Sequence, residues 1–275
     1  MNLPIRAPHI AIFLLAAAVL AACAPLPAPM QAEAPAPDDT RQAALDRATR
    51  QQLESQGHPM LRVDPARTLI TIVVRRGGTL ARLGHDHVVA SHTVAGWVAP
   101  AAGLAALHFR LDQMTVDETA LRAAAGLERQ PSPEAIAGTR TNMLTRVLDA
   151  ERYPTVWLRI TRPAGSDTLA LAVTLHGVTR QFQVPTHIVS AADGASLTAT
   201  GSLTMRQSDF GLVPFAVMGG ALAVLDQMEL QFDIRAVRAS GADELFERGQ
   251  DGIALERLDD PALDASRLAA LLHDR

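Results

Sequence analysis

The stretch RLGHDHVVASHTV, residues 82–94, places three of the chain's nine histidines, His85, His87 and His92, within eight positions. Imidazole ligates metals and also exchanges protons near neutral pH. On an extended backbone His85 and His87 share one face, and strict alternation puts His92 on the other. A metal held by His85 and His87 needs a further ligand from His108, His176 or a carboxylate such as Asp86. No His-Glu-x-x-His, no thiolate pair and no facial-triad spacing accompanies them. Two other readings use the same residues. They form a protonation-sensitive polar mouth to a larger site, or they are solvent-exposed or hydrogen-bonded structural histidines. The carboxylates Asp112, Asp117 and Glu118 sit beside a loop and read as solvated.

The rest of the inventory excludes several chemistries. Every basic side chain is arginine and lysine is absent, which removes Schiff-base and P-loop chemistry. Cys23 is the only cysteine, so neither a disulfide framework nor a thiolate site is available to the folded part. Net charge is −4 and no basic stripe is interleaved with aromatics, so nucleic-acid binding has no support. There is no Gly-x-Ser-x-Gly elbow for hydrolysis.

The chain begins as an exported protein does. Arg6 precedes the apolar run Ile10 to Leu20, too short to span a bilayer comfortably and suited to a signal-peptide core. The run ends in Leu20-Ala21-Ala22-Cys23, which resembles the bacterial lipoprotein box. That resemblance implies cleavage after residue 22 and an acylated Cys23 as membrane anchor. Ala24 stands where an aspartate would resemble an inner-membrane retention signal, so the expected location is the outer membrane, facing the periplasm. Residues 23–59 are expected to form an Ala/Pro-rich tether with one amphipathic helix from Asp38 to Gln56, ended by Gly57.

Residues 60–239 read as a run of about eight strands. Leu69 to Val74 is β-branched, and Val88 to Val98 alternates as one strand. Met228, Leu230, Phe232 and Ile234 alternate with Glu229, Gln231, Asp233 and Arg235, the clearest one-sided strand in the chain. Successive strands without intervening helices predict an all-β fold, an antiparallel eight-stranded barrel or a sandwich. One helix interrupts it, capped by Ser132 with Pro133 at its first position, and is expected over one barrel end. Residues 240–275 read as a helical tail. An eight-stranded barrel either fills with its own side chains or holds one slender ligand, and periodicity does not separate the two.

Three segments resemble the YceI-like family: NMLTRVLDAERYPTVWLRI (142–160), LAVTLHGVTRQFQVP (171–185) and RQSDFGLVPFAVMGGALAVLDQMELQFDIRA (206–236). Their order and spacing match, so the resemblance covers about Leu61 to Ala239. It implies a lipocalin-like barrel, exported and non-enzymatic, that binds a polyisoprenoid or another long-chain apolar lipid. No other cofactor is implied. The residues then expected at the pocket or its mouth are His85, His87, Trp97, Phe109, Arg206, Met228, Leu230 and Phe232. Arg206 has two readings, an ion pair to Asp209 that fixes its loop or a contact to a lipid oxygen. Around GGTLARLGHDH this chain is more polar than the family pattern, which leaves the ligand's head group, or a haem or metal partner, open; the alternatives are a metal-binding protein or metal-dependent enzyme using His85 and His87, and a structural envelope module whose barrel is filled.

Overall fold

The computed structural model describes residues 39–238, Glu128 excepted. The export signal, Cys23, the tether and the C-terminal tail lie outside the described residues. Twelve strands form one antiparallel sheet: β1 (Leu61–Val63), β2 (Leu69–Gly77), β3 (His87–Ser91), β4 (Ala95–Ala99), β5 (Leu104–Arg110), β6 (Thr115–Val116), β7 (Thr155–Thr161), β8 (Thr168–Leu175), β9 (Val178–Ser190), β10 (Ser196–Arg206), β11 (Ala216–Val217) and β12 (Leu222–Val237). Eight of them, in the order β1-β4-β5-β7-β8-β9-β10-β12, close into a barrel when β12 returns to β1 at Arg62↔Val237 and Val63↔Ala236. Most of that same edge of β12 is taken by β2, from Ala223↔Gly77 to Asp233↔Leu69, and β3 and β6 continue outward from β2.

Alternation along β12 decides which side chains face inward. Met228, Leu230, Phe232 and Ile234 turn to the interior, as the sequence pattern predicts. The hairpin between β8 and β9 turns at His176 and Gly177, both with positive φ, the primed two-residue turn that matches strand twist.

The expected single strand from Val88 to Val98 is a correction. It breaks at His92, Thr93 and Val94, so β3 pairs with β2 and β6 while β4 pairs with β1 and β5. Period-2 alternation survives such a sideways step, because each half keeps its own pleat. Gly96, just beyond the step, has φ +143°, and a Cβ there would collide with the Ala106 carbonyl on β5.

Among the described residues three helices flank the sheet: α1 (Asp39–Ser55), α2 (Thr119–Ala124) and α3 (Pro133–Asn142). The predicted N-terminal helix is α1, and it closes at Gly57 (φ +79°), where the His58 amide donates to the Leu53 carbonyl. It lies against the outer wall of the barrel. Leu53 is buried with Trp97, Ala99 and Ala106, Trp157 donates from Nε1 to Asp39 at 2.8 Å, and Arg159 pairs with Asp46 at 2.9 Å. The predicted inserted helix is α3, capped by Ser132, and it runs on into a single π-helical turn, Met143–Val147. Met143, Val147 and Leu148 lower its apolar face onto the barrel end.

Gly96→Ala therefore forces both a disfavoured φ and a steric displacement of β5 at the β4–β5 ladder. The expected loss is about 2 kcal/mol or more. Thermal melting followed by circular dichroism checks this, with a midpoint lowered by about 5 °C or more.

Candidate ligand cavity and its histidine end

The inward faces of the barrel do not fill it. They surround a cavity of about 470 Å³, within the range of sites that take a small-molecule ligand. Phe109, Leu158, Leu171, Leu230 and Phe232 represent its wall, which is apolar through the barrel's length. Arg162 and Ser190, from the β7–β8 and β9–β10 sides, line one end. His85, His87, Asn142 and Gln207 line the other, beneath α3 and the 207–221 loop.

The structure brings together six of the residues expected at the pocket: His85, His87, Phe109, Met228, Leu230 and Phe232 all line the cavity. Trp97 and Arg206 do not. Trp97 is buried on the opposite side of the wall, under α1. Arg206 is exposed at the end of β10. Nor is its loop fixed by Asp209, since no ion pair joins the two among the described residues. Asp226 does that work, accepting from Ser208 N at 2.8 Å and Ser208 Oγ at 2.5 Å, while Gln207 Nε2 donates to the Leu225 carbonyl.

The His85-Asp86-His87 segment behaves as alternation requires. Asp86 turns outward, accepts from the Arg76 amide at 2.9 Å and lies 3.8 Å from the guanidinium groups of Arg75 and Arg76. His85 and His87 turn to the cavity, with ring centres 6.2 Å apart. Burial above all, with the positive charges of Arg129 and Arg122 beside it, pushes His85 below the ordinary imidazole value.

Behind His87 lies a cluster that the sequence reading missed. His87 Nδ1 is 2.6 Å from Asp117 Oδ2, and the Asp117 side chain is wholly buried. Asp117 Oδ1 accepts from the Val88 amide at 3.1 Å and from Arg122 Nη1 at 2.5 Å. Arg122, also buried, donates to the carbonyls of Asp86, at 2.7 Å, and Arg129. Reading Asp117 as a solvated loop carboxylate is thus corrected. It follows β6 with φ +56°, and its own amide donates to the Val88 carbonyl at 2.8 Å, so it extends the β3–β6 pairing. Burial alone would raise its pKa, but hydrogen bonds from His87, Val88 and Arg122 outweigh that and hold it below the ordinary carboxylate value. Glu118 is likewise engaged, accepting from His92 Nε2 and Thr115 Oγ1.

Three other histidines named in the sequence reading are drawn elsewhere. His92 holds Glu118, His108 stacks on Trp157 at 5.0 Å, and His176 packs on Tyr153 at 4.4 Å. None of the three lines the cavity. Among the described residues no three His, Cys, Asp or Glu side chains come together in a way that could hold a metal ion.

A closed antiparallel barrel around an apolar cavity defines a lipocalin-like barrel. The chain belongs to the YceI-like family: the model of the YceI-like domain matches residues 61–236. Among solved structures it is similar to a polyisoprenoid binding domain from Saccharophagus degradans implicated in plant cell wall breakdown, at 11% identity and TM-score 0.47, over 65% of this chain and 98% of that one. It is also similar to Burkholderia cenocepacia BcnA, at 16% identity and TM-score 0.42, over 63% and 98% of the two chains. A Campylobacter jejuni YCEI protein matches at 11% identity and TM-score 0.36, over 54% and 81%. No curated protein matches the chain.

The depressed pKa of Asp117 links this cluster to pH. A carboxylate whose folded value lies below its unfolded one adds stability above the unfolded value, about 3.9, and that stability is lost as the pH falls. Asp117→Asn is expected to cost about 3 kcal/mol or more at neutral pH, because Arg122 stays buried without a counter-charge. Urea unfolding followed by tryptophan fluorescence checks both points. The wild type should lose stability between about pH 5 and pH 3, and the variant, starting lower, should show a flatter profile there.

Proposed function

We propose that this protein binds and carries a long-chain apolar lipid, of polyisoprenoid or isoprenoid-quinone type, inside its barrel and performs no covalent chemistry on it. The observation that carries this reading is the apolar cavity running through a closed barrel. A flexible chain threaded there exchanges water for aliphatic wall along its length, gaining about 25 cal/mol per Å² of apolar surface before ordering costs are deducted. Membership of a family of binding domains supports carriage over conversion. His85, His87, Phe109, Met228, Leu230 and Phe232 are the contacts of the chain and its head, with the head at the histidine end.

The expected setting is the bacterial envelope, with the body tethered through an acylated Cys23 to the outer membrane and facing the periplasm. The rim of the histidine end supports a membrane-side source of ligand. Leu83, Val213, Met218 and Leu225, four of the six exposed large apolar side chains among the described residues, stand on the segments around it. Exposed apolar surface gathered at a cavity mouth suits direct exchange with a lipid phase.

Native mass spectrometry and solvent extraction of the purified protein test the reading. A stoichiometric long-chain lipid, or uptake of added polyprenyl compounds, is the expected result. Protein that is empty and takes up no polyprenyl or quinone analogue sinks it. Ala199→Phe projects a ring into the cavity from β10. It should reduce polyprenyl uptake by about tenfold or more while costing only about 1–3 kcal/mol of stability, as overpacking does.

A further inference from the structure

The two ends of the barrel differ in what they show to solvent. At the histidine end, segment 77–84 and loop 213–225 are laced into one rim. The Leu80 amide donates to the Ala221 carbonyl at 2.7 Å, and Gly78 has no room for a side chain against the Gly220 and Ala221 carbonyls. Val213 and Met218 are 78% and 71% exposed on that rim, and Leu83 and Leu225 are exposed beside them. Leu83 also lines the cavity, as do Phe215 and Leu222, so rim and cavity share apolar side chains. At the far end the turns 100–103, 162–167 and 191–195 expose no large apolar side chain among the described residues.

Helix α1 gives an independent direction. Its first residue, Asp39, accepts from Trp157, two positions from the start of β7 at the histidine end. In its last turn Leu53 belongs to a cluster with Ala99, Ala102 and Leu104, toward the far end. The chain therefore enters α1 from the mouth end, and an anchor upstream of Asp39 acts on the body there. Residues 24–38 separate Asp39 from Cys23, a reach of at most about 55 Å when fully extended.

Apolar tips around the opening of an apolar cavity fit a partner that takes an apolar chain without passing it through water. A lipid bilayer is such a partner. Arg82, next to Leu83, and Arg206, at the foot of the 207–221 loop, are both exposed and suit lipid phosphates behind inserted tips.

We propose that the histidine end is a membrane-docking face that seats on the same bilayer that anchors the chain. Ligand then passes between bilayer and barrel through the mouth. This deepens the lipid-carrier reading and rests on it for the cargo and for the anchor at Cys23.

The test uses the full acylated chain, purified from membranes and reconstituted into phosphatidylethanolamine–phosphatidylglycerol vesicles. Cys23 is the only cysteine and acylation blocks its thiol, so Val213→Cys or Ala192→Cys supplies one site for a fluorophore. Val213 is a rim tip, and Ala192 is exposed in the far turn between β9 and β10. Spin-labelled lipid in the anchoring vesicle should quench the label at 213 and leave the label at 192 unquenched. The same lipid confined to a second vesicle population should quench neither. Leu83→Asp with Met218→Asp charges two tips and should lower the docked-to-free ratio by about tenfold or more. Aspartate tolerates the φ of +53° at Met218, and the contrast between labels 213 and 192 needs neither substitution. No quenching at 213, equal quenching at the two sites, or quenching only by second vesicles overturns the docking face. Label taken up by the wild-type chain shows a free Cys23 and overturns docking on the anchoring bilayer. Native mass spectrometry of the same chain judges the carrier reading separately. Polyprenyl uptake without docking overturns the face alone, and docking without uptake overturns the carrier reading and the passage of ligand with it.

Discussion

The structure depends on the two edges of β12. One edge pairs with β10 for eleven consecutive residue pairs, Ser196↔Val237 to Arg206↔Gln227. The other is divided between β2 and, for two pairs only, β1. That short second contact is what makes the sheet a barrel. A closed ring has no unpaired edge to protect, so its strands can commit one whole face to the interior. Because the period is fixed at two, the register that aligns the ladder also sends Met228, Leu230, Phe232 and Ile234 inward together.

An apolar interior explains affinity for a chain, whereas the polar cluster at one end has to be explained by geometry. Burying Asp117 and Arg122 is costly unless each charge is matched, and here the match is close to complete. The carboxylate receives an amide, a guanidinium and an imidazole, and the guanidinium caps two carbonyls. Hydrophobic residues of similar volume could hold the same segments together at least as firmly. What such residues could not do is give His87 a hydrogen-bond partner behind the cavity wall. The short helix α2 is therefore tied to the histidine end of the cavity through Arg122, although neither it nor Asp117 lines the cavity.

Several features were legible in the sequence because they are local. The one-sided β12 and the Ser132-Pro133 helix start each depend on neighbours within a few residues, where backbone sterics and capping act. That His85 and His87 share one face also followed from alternation alone. The errors came where long-range placement mattered. Val88 to Val98 reads as one strand because alternation carries no record of a sideways step. Trp97 reads as pocket lining because parity does not say which face of the wall α1 covers. Asp117 reads as solvated because its partners lie five residues ahead and thirty residues back, with no periodic relation between them.

By itself the sequence determined the class of structure, an antiparallel all-β sheet with one apolar face, because side-chain parity is written residue by residue; the choice of barrel over sandwich came from the YceI-like resemblance. The sequence also determined which chemistries are absent, since lysine is missing and cysteine occurs once. Only the tertiary structure decided that the interior stays open, because a void is the difference between the space the strands enclose and the volume their side chains occupy. The tertiary structure likewise decided that His87 is held by a buried carboxylate and is not a free surface imidazole. That contact depends on a partner brought from a distant part of the chain, and no spacing in the sequence encodes that distance.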